Sequence, residues 1–305
     1  MLHHTTKSQK SSNKNLFIVN PNAGTKQAKH HLPKVLDLFS ENGDINSVHL
    51  TQTQGDGISL AADYGNTADR IICMGGDGTF SEVITGMKLA GCDVPVGYIP
   101  AGTANDLATS LKLSKNIMQA AKDIIEGGVT LLDIGMFGEK YFSYIASFGA
   151  FTKASYSTPQ SSKNMLGHFA YVVEALKELP SIRPAYIRIE TDTLKIEGEY
   201  IFGSVSNSKS VGGVLPLNPD IVDMSDGVFE VLLIKPLNNP AAVCDCAYSL
   251  FTQNYNSEYI TFFTTEKASV YSDPGMNWAL DGECARGREK IEIQNLRHAL
   301  KVISK

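Results

Sequence analysis

No apolar run in this chain of 305 residues approaches the ~20 that a helix needs to cross a bilayer. A signal sequence is missing as well. Met1 to Asn15 is polar, carries Lys7, Lys10 and Lys14, and has no apolar core. The expectation is a disordered leader over 1–15 on a cytoplasmic protein, with His3 and His4 in that tail and no metal on them. Cysteine is scarce: five residues, at 73, 92, 244, 246 and 284. An odd number without framework spacing excludes a disulfide scaffold and suits reduced thiols. Cys244-x-Cys246 is too tight for zinc and has no second ligand pair. Positive charge is in deficit, with 27 Lys and Arg against 32 Asp and Glu. The net charge of −5 excludes the broad basic footprint of a nucleic-acid binder. No internal repeat occurs. What remains is a chain of ordinary apolar content, long enough for two cores.

The stretch Met74-Gly75-Gly76-Asp77-Gly78-Thr79-Phe80-Ser81-Glu82 follows the apolar run Arg70-Ile71-Ile72-Cys73 and precedes apolar residues at helical spacing. Its glycines therefore sit at a strand-to-helix turn. Three glycines in four positions permit positive φ and let backbone N–H groups converge. A helix N-terminus at the same point favours an anion such as phosphate. Asp77 adds a carboxylate for a metal ion or for the loop itself. A tight βα connection without ligand is the plain alternative.

Leu16-Phe17-Ile18-Val19 reads as a first strand, ending at the turn Asn20-Pro21-Asn22-Ala23-Gly24, with a helix to about Ser40. Ser47 to Thr51 reads as strand two and Pro95 to Pro100 as strand four, with Ala101-Gly102-Thr103-Ala104-Asn105-Asp106 as its turn. Asn105-Asp106 opens a helix, so capping is one role for the pair. The alternation predicts a parallel sheet with helices on both faces and polar turns at the strands' carboxyl ends. Near residues 128–136 the pattern changes to strands in succession, among them Tyr141 to Phe148 and Gly227 to Ile234. One helix is expected near Gly167 to Leu179. This predicts a Rossmann-like α/β domain over 16–132 and an all-β, sandwich-like domain over 133–290. Residues 291–305 are a segment able to return to the first domain.

Four blocks carry a resemblance. Asn20-Pro21-Asn22-Ala23-Gly24, Gly75-Gly76-Asp77-Gly78-Thr79, Pro100-Ala101-Gly102-Thr103-Ala104-Asn105-Asp106 and Leu280-Asp281-Gly282-Glu283 occur in order. Together they resemble the bacterial diacylglycerol kinase and lipid kinase family, related to sphingosine kinases and more distantly to NAD kinases. The resemblance implies a two-domain kinase with ATP between the domains. It implies nucleotide contacts from Asn20, Pro21, Asn22, Ala23, Gly24, Thr51, Gly75, Gly76, Asp77, Gly78, Thr79, Phe80, Ser81 and Thr103. Ile221 to Val228 is similar to the family's structural Mg²⁺ loop, which implies Asp223, Asp226 and Val228 as ligands, the last through its carbonyl. An Asp-Gly turn is the plain alternative. Asp281 and Glu283 are the implied catalytic pair, with Glu283 as base and Asp281 as its partner. Lys209, in the stretch 207–213, is placed at phosphate or at nothing.

The leading expectation is thus an ATP- and Mg²⁺-dependent lipid kinase acting on diacylglycerol at the inner membrane surface, through peripheral contact. An NAD kinase-like or sphingoid lipid kinase is the second reading, and a catalytically inactive nucleotide-binding regulator the third. A homodimer is compatible with the chain and not fixed by it.

Overall fold

The structure, a computed structural model, describes residues 12–103, 105–149, 183–208, 210–211, 215–217 and 222–305. The helix expected near 167–179 and Lys209 lie outside the described residues. The chain divides into two compact units. One takes the residues up to Ala108 with Lys112–Thr130 and Lys301–Lys305; the other takes Thr109–Leu111 and Leu131–Leu300.

The first unit alternates strands and helices: β1 (Lys14–Val19), α1 (Gln27–Glu41), β2 (Ile45–Leu50), α2 (Asp56–Tyr64), β3 (Arg70–Gly75), α3 (Asp77–Leu89), β4 (Val96–Pro100), α4 (Asp106–Ser110) and α5 (Ile117–Glu126). The strands are parallel in the order β2-β1-β3-β4. Buried on both faces, β1 and β3 read as continuous apolar runs rather than alternating ones. Phe17, Val19, Ile72, Met74 and Ile99 pack on α1 and α5 through Val35, Phe39, Ala121 and Ile124. Phe17 and Phe39 meet edge to face at 5.1 Å. The first strand begins at Lys14, earlier than the leader boundary at residue 15 allows. Asn15 is the reason: buried, it donates from Nδ2 to Asp44 and Asn46 and accepts from Arg70. Arg70 and Asp44 form a buried ion pair beside it.

The rest of the chain contains β5 (Gly128–Phe137), β6 (Lys140–Phe142), β7 (Ile145–Gly149), β8 (Ala185–Glu190), β9 (Lys195–Tyr200), β10 (Phe202–Ser206), β11 (Ser210–Val211), β12 (Leu215–Pro216), β13 (Phe229–Ile234), α6 (Pro240–Thr252), β14 (Ile260–Thr265), β15 (Lys267–Tyr271), β16 (Asn277–Leu280), β17 (Glu283–Arg286) and β18 (Lys290–Ser304), all in the second unit except the start of β5 and the end of β18, which fall in the first. One sheet runs β14-β13-β10-β7-β16-β17, and its described pairs are antiparallel. Its apolar face, with Ala146, Phe148, Val205, Val231 and Trp278, packs on Ile187, Ile189, Val270, Ile291 and Ile293 of β8, β15 and β18. Two sheets face to face make the antiparallel sandwich. The chain's last strand, β18, pairs with β15 along Lys290 to Gln294, and its Val302 pairs with Val96 of β4.

Two differences from the sequence reading have local causes. The single strand expected over Tyr141 to Phe148 is two strands, because the N–H groups of Ser143, Tyr144 and Ile145 turn to the carboxylate of Asp281. Helix α6 was not foreseen. Its signal stood in the sequence as Asn239-Pro240: the Asn239 side chain accepts the Ala242 N–H at 2.8 Å, with Pro at the first turn.

Candidate functional site

In the first unit the ends of β1, β3 and β4 bring three turns together. The Asn20 N–H donates to Met74 O at 2.9 Å, and Ala101 N–H to Gly75 O at 2.7 Å. Asn20 Nδ2 reaches Thr79 Oγ1 at 3.1 Å, and Asn20 Oδ1 accepts the Asn22 N–H. The turns touch backbone to backbone. A Cβ on Gly102 would lie 2.6 Å from the Gly76 Cα, and one on Gly24 2.6 Å from Ala101 O. Gly24 also has φ of +51°. Of the two reasons the sequence offers for the central glycines, positive φ does not apply, since Gly75, Gly76 and Gly78 do not adopt it. Gly75 and Gly76 serve close approach: a Cβ on Gly75 would strike Thr79, and one on Gly76 would sit 3.2 Å from the Gly102 Cα.

Asp77 is not inside the turn; it is the first residue of α3, with Gly76 as N-cap. Its carboxylate accepts the N–H groups of Asp106 and Leu107 at 3.1 and 3.3 Å. The cap of α4 therefore comes from Asp77, 29 residues away. Asn105, at φ +54°, instead closes the turn on Gly102, with its Oδ1 accepting Gly102 N–H and its Nδ2 donating to Gly102 O. Burial raises the Asp77 carboxyl above the usual carboxylate range, opposed by these N–H donors. Burial, then the Asp77 charge, raises Asp106. Two buried carboxylates, one raised by the charge of the other, make a site short of positive charge, which a divalent cation would offset. Asp106 in this pairing was missed, because its sequence context reads as an ordinary helix start.

The remaining nucleotide candidates separate. Gly24, Asn22 and Thr103 are exposed, Pro21 and Ser81 half-buried, and Thr51 and Ala23 buried. Phe80 is fully buried, its ring 4.7 Å from that of Tyr98, so its side chain belongs to the core and only its backbone could serve a nucleotide. Its helical position, three residues into α3, turns it to the sheet.

In the second unit, Asp281 is buried in a left-handed conformation at φ +49°. Its Oδ2 accepts Ser143 N–H at 2.6 Å, and its Oδ1 accepts those of Tyr144 and Ile145 at 3.0 and 3.1 Å. Glu283 opens β17 and is exposed. Of the two, Asp281 is committed to the backbone and Glu283 faces solvent.

The 223–228 loop is held from several sides. Asp223 Oδ1 accepts Ser225 N–H, and Asp226 Oδ1 accepts Val228 N–H at 3.0 Å. Buried Asp133 takes Gly227 N–H at 2.6 Å and His298 N–H at 2.7 Å. The Val228 carbonyl accepts Asn295 Nδ2 at 3.1 Å, and the Ser225 carbonyl lies 3.0 Å from His298 Nε2. Burial raises the Asp226 carboxyl, and Asp223 and Asp133 raise it further against the Val228 N–H. Among the described residues no three His, Cys, Asp or Glu side chains converge closely enough to enclose a metal. The donor set is hard oxygen with excess negative charge. It fits Mg²⁺ held by one carboxylate, carbonyls and waters. Asp133, which ties this loop, was invisible within the apolar run Leu131-Leu132-Asp133-Ile134.

An α/β unit with phosphate-type turns, followed by an antiparallel sandwich carrying a carboxylate turn, defines the class. A family model described as the diacylglycerol kinase catalytic domain matches residues 14–137. A second, described as the YegS C-terminal NAD kinase beta sandwich-like domain, matches residues 146–304. The chain belongs to the diacylglycerol kinase catalytic domain family. It is 34% identical over 289 residues to a diacylglycerol kinase of Bacillus subtilis (strain 168), covering 94% of this chain and 95% of that one. A diacylglycerol kinase of Staphylococcus saprophyticus is 32% identical over 291 residues, with 94% of each chain covered. In fold, the chain is similar to the crystal structure of a diacylglycerol kinase from Bacillus anthracis strain Sterne. That match has TM-score 0.74 at 22% identity, over 97% of this chain and 98% of that one.

Proposed function

We propose that this chain is a lipid kinase that transfers the γ-phosphate of ATP to the hydroxyl of diacylglycerol, giving phosphatidic acid. The observation that carries the reading is the meeting of three glycine-bearing turns at the start of α3, with Gly76 and Gly102 packed backbone to backbone. Such a cradle suits phosphates, which favour a helix N-terminus and unobstructed N–H groups. Relatives covering nearly the whole chain bear the name diacylglycerol kinase.

In this reading Asn20, Thr51, Thr79 and Thr103 offer polar groups to the nucleotide, and the backbone from Gly75 to Gly78 lines its phosphates. Mg²⁺, when bound, supplies the positive charge that phosphoryl transfer requires. Asp77 and Asp106 would share one such ion, and Asp223, Asp226 and the Val228 carbonyl would hold a structural one. Glu283 takes the proton of the lipid hydroxyl as the new O–P bond forms and the bond to ADP breaks. Asp281 fixes the turn from which Glu283 projects.

No helix among the described residues is long and apolar enough to cross a membrane. Contact with a bilayer-borne acceptor is then peripheral, on the cytoplasmic face and aided by anionic lipid near local Lys and Arg. The test is radiolabelled ATP with diacylglycerol in mixed micelles, run against sphingosine, NAD and no acceptor. Label in phosphatidic acid alone supports the reading. Label in another product reassigns the acceptor, and nucleotide binding without any transfer points to an inactive regulator.

A further inference from the structure

Glu82 follows the phosphate turn on α3, half-buried, and its carboxylate reaches out of its own helix. Its Oε1 accepts the Gly55 N–H at 2.8 Å, and its Oε2 accepts the Gly57 N–H at 3.0 Å. Both donors belong to the start of α2. Gly55 stands at the N-cap of α2 with φ of +92° and makes no side-chain cap bond, so this helix brings no cap of its own. Glu82, 25 residues along the chain from Gly57, supplies it, and its negative charge suits a helix N-terminus.

The two helices are shaped for this contact. A Cβ on Gly57 would lie 2.8 Å from both the Cβ and the Oε2 of Glu82. A Cβ on Gly86 would lie 2.2 Å from Ile58 O and 2.9 Å from the Ala61 Cβ. Gly57 and Ala61 on α2, and Glu82 and Gly86 on α3, are each four positions apart and so share one face of their helix. The helices meet closely over a full turn, and Glu82 is the polar end of that seam. The β2–α2 turn is tied in three ways. The Thr51 N–H donates to Val19 O on β1. Within the turn, Asp56 Oδ2 accepts the N–H groups of Gln52 and Thr53 at 2.7 and 2.9 Å. The third tie, through Glu82, runs to α3, whose first turn is the phosphate corner. We infer that Glu82 is a positioning residue for the nucleotide: by holding the β2–α2 turn to α3, it sets the spacing between the turn that begins at Thr51 and the turn Gly75 to Gly78. This inference rests on the reading of both turns as nucleotide contacts.

The test is calorimetric ATP binding and steady-state kinetics on the full chain, for wild type, E82Q and E82A, at a temperature where each is folded. Gln offers one acceptor oxygen to two N–H groups, so E82Q gives up one bond; E82A gives up both. In E82Q the Kd and KM for ATP should rise about tenfold, the worth of one hydrogen bond to a charged group, while kcat at saturating ATP and KM for diacylglycerol stay within about twofold. In E82A the rise for ATP should approach about a hundredfold. If E82A does not fold, E82Q decides. A lowered Tm with wild-type ATP affinity would make Glu82 a helix cap and nothing more, overturning the inference while the kinase reading stands. A fall in kcat at saturating ATP as large as the fall in kcat/KM would also overturn it, since the loss would then lie in the chemical step. A wild type that binds no ATP would overturn both readings.

Discussion

Changing the two carboxylates of the 281–283 turn one at a time should separate a positioning role from a chemical one. Asp281→Asn keeps the size of the side chain and tolerates φ of +49°, since Asn accepts the left-handed region. It also converts one acceptor oxygen into a donor facing backbone N–H groups. If the amide nitrogen takes the Oδ2 place, the bond to Ser143 N–H is lost; if it takes the Oδ1 place, two are lost. One hydrogen bond to a buried charge is worth about 1.5–3 kcal/mol, and the survivors weaken to neutral bonds of about 1 kcal/mol. The lower bound, one bond lost and two weakened, is then about 2.5 kcal/mol, or a fall in Tm of roughly 5–10 °C for a unit of this size. Glu283→Gln removes an exposed charge, so calorimetry should find Tm unchanged while kcat for lipid phosphorylation falls by about 10²–10⁴. Nucleotide affinity should survive in both variants. A D281N protein melting within ~2 °C of wild type would show that the three N–H bonds do not hold the turn. An E283Q protein with wild-type kcat would remove Glu283 from the chemistry.

The glycine contact gives an ordered pair: G102A, whose Cβ would sit 2.6 Å from the Gly76 Cα, should lose more stability and more ATP affinity in calorimetry than G76A, whose Cβ meets Gly102 at 3.2 Å. Equal, wild-type-like behaviour of both would make the turns mere connectors. Burial and Asp77 raise the folded-state pKa of Asp106, so its favourable contribution exists below the ordinary carboxylate pKa and is lost as pH rises through the folded value. D106N should therefore raise Tm at pH 7 and flatten the Tm profile above pH 4 while lowering kcat; a lower Tm at pH 7 would contradict the repulsion. D226A should lower activity at limiting Mg²⁺ and recover part of it as Mg²⁺ rises, and a Mg²⁺ dependence identical to wild type would exclude the 223–228 loop as a cation site.

What the sequence disclosed and what it hid divide along the range of the interactions. Turns declare themselves locally. Asn20 to Gly24, Gly75 to Gly78 and Ala101 to Asp106 were legible because a strand end, small residues and a helix start sit within ten positions of one another, and the strand–helix alternation around them predicted the parallel sheet. The antiparallel sandwich was legible from strands in succession. The partners of the carboxylates were not, because each is set by a distant segment. Asp77 caps a helix 29 residues downstream. Asp281 breaks a strand 137 residues upstream at Tyr144. Asp133, inside an apolar strand, holds Gly227 at a separation of 94 residues and His298 at 165. In sequence each looks like a turn residue, a metal ligand or a flaw in a strand. The same limit explains Phe80. Membership of the motif made it a ligand candidate, yet helical periodicity alone puts the fourth residue of α3 on the sheet side, where Tyr98 meets it. Where a motif and a periodicity disagree about one residue, the periodicity decides where its side chain goes, because burying a phenyl ring is worth about 1.5–3 kcal/mol and a motif carries no energy of its own.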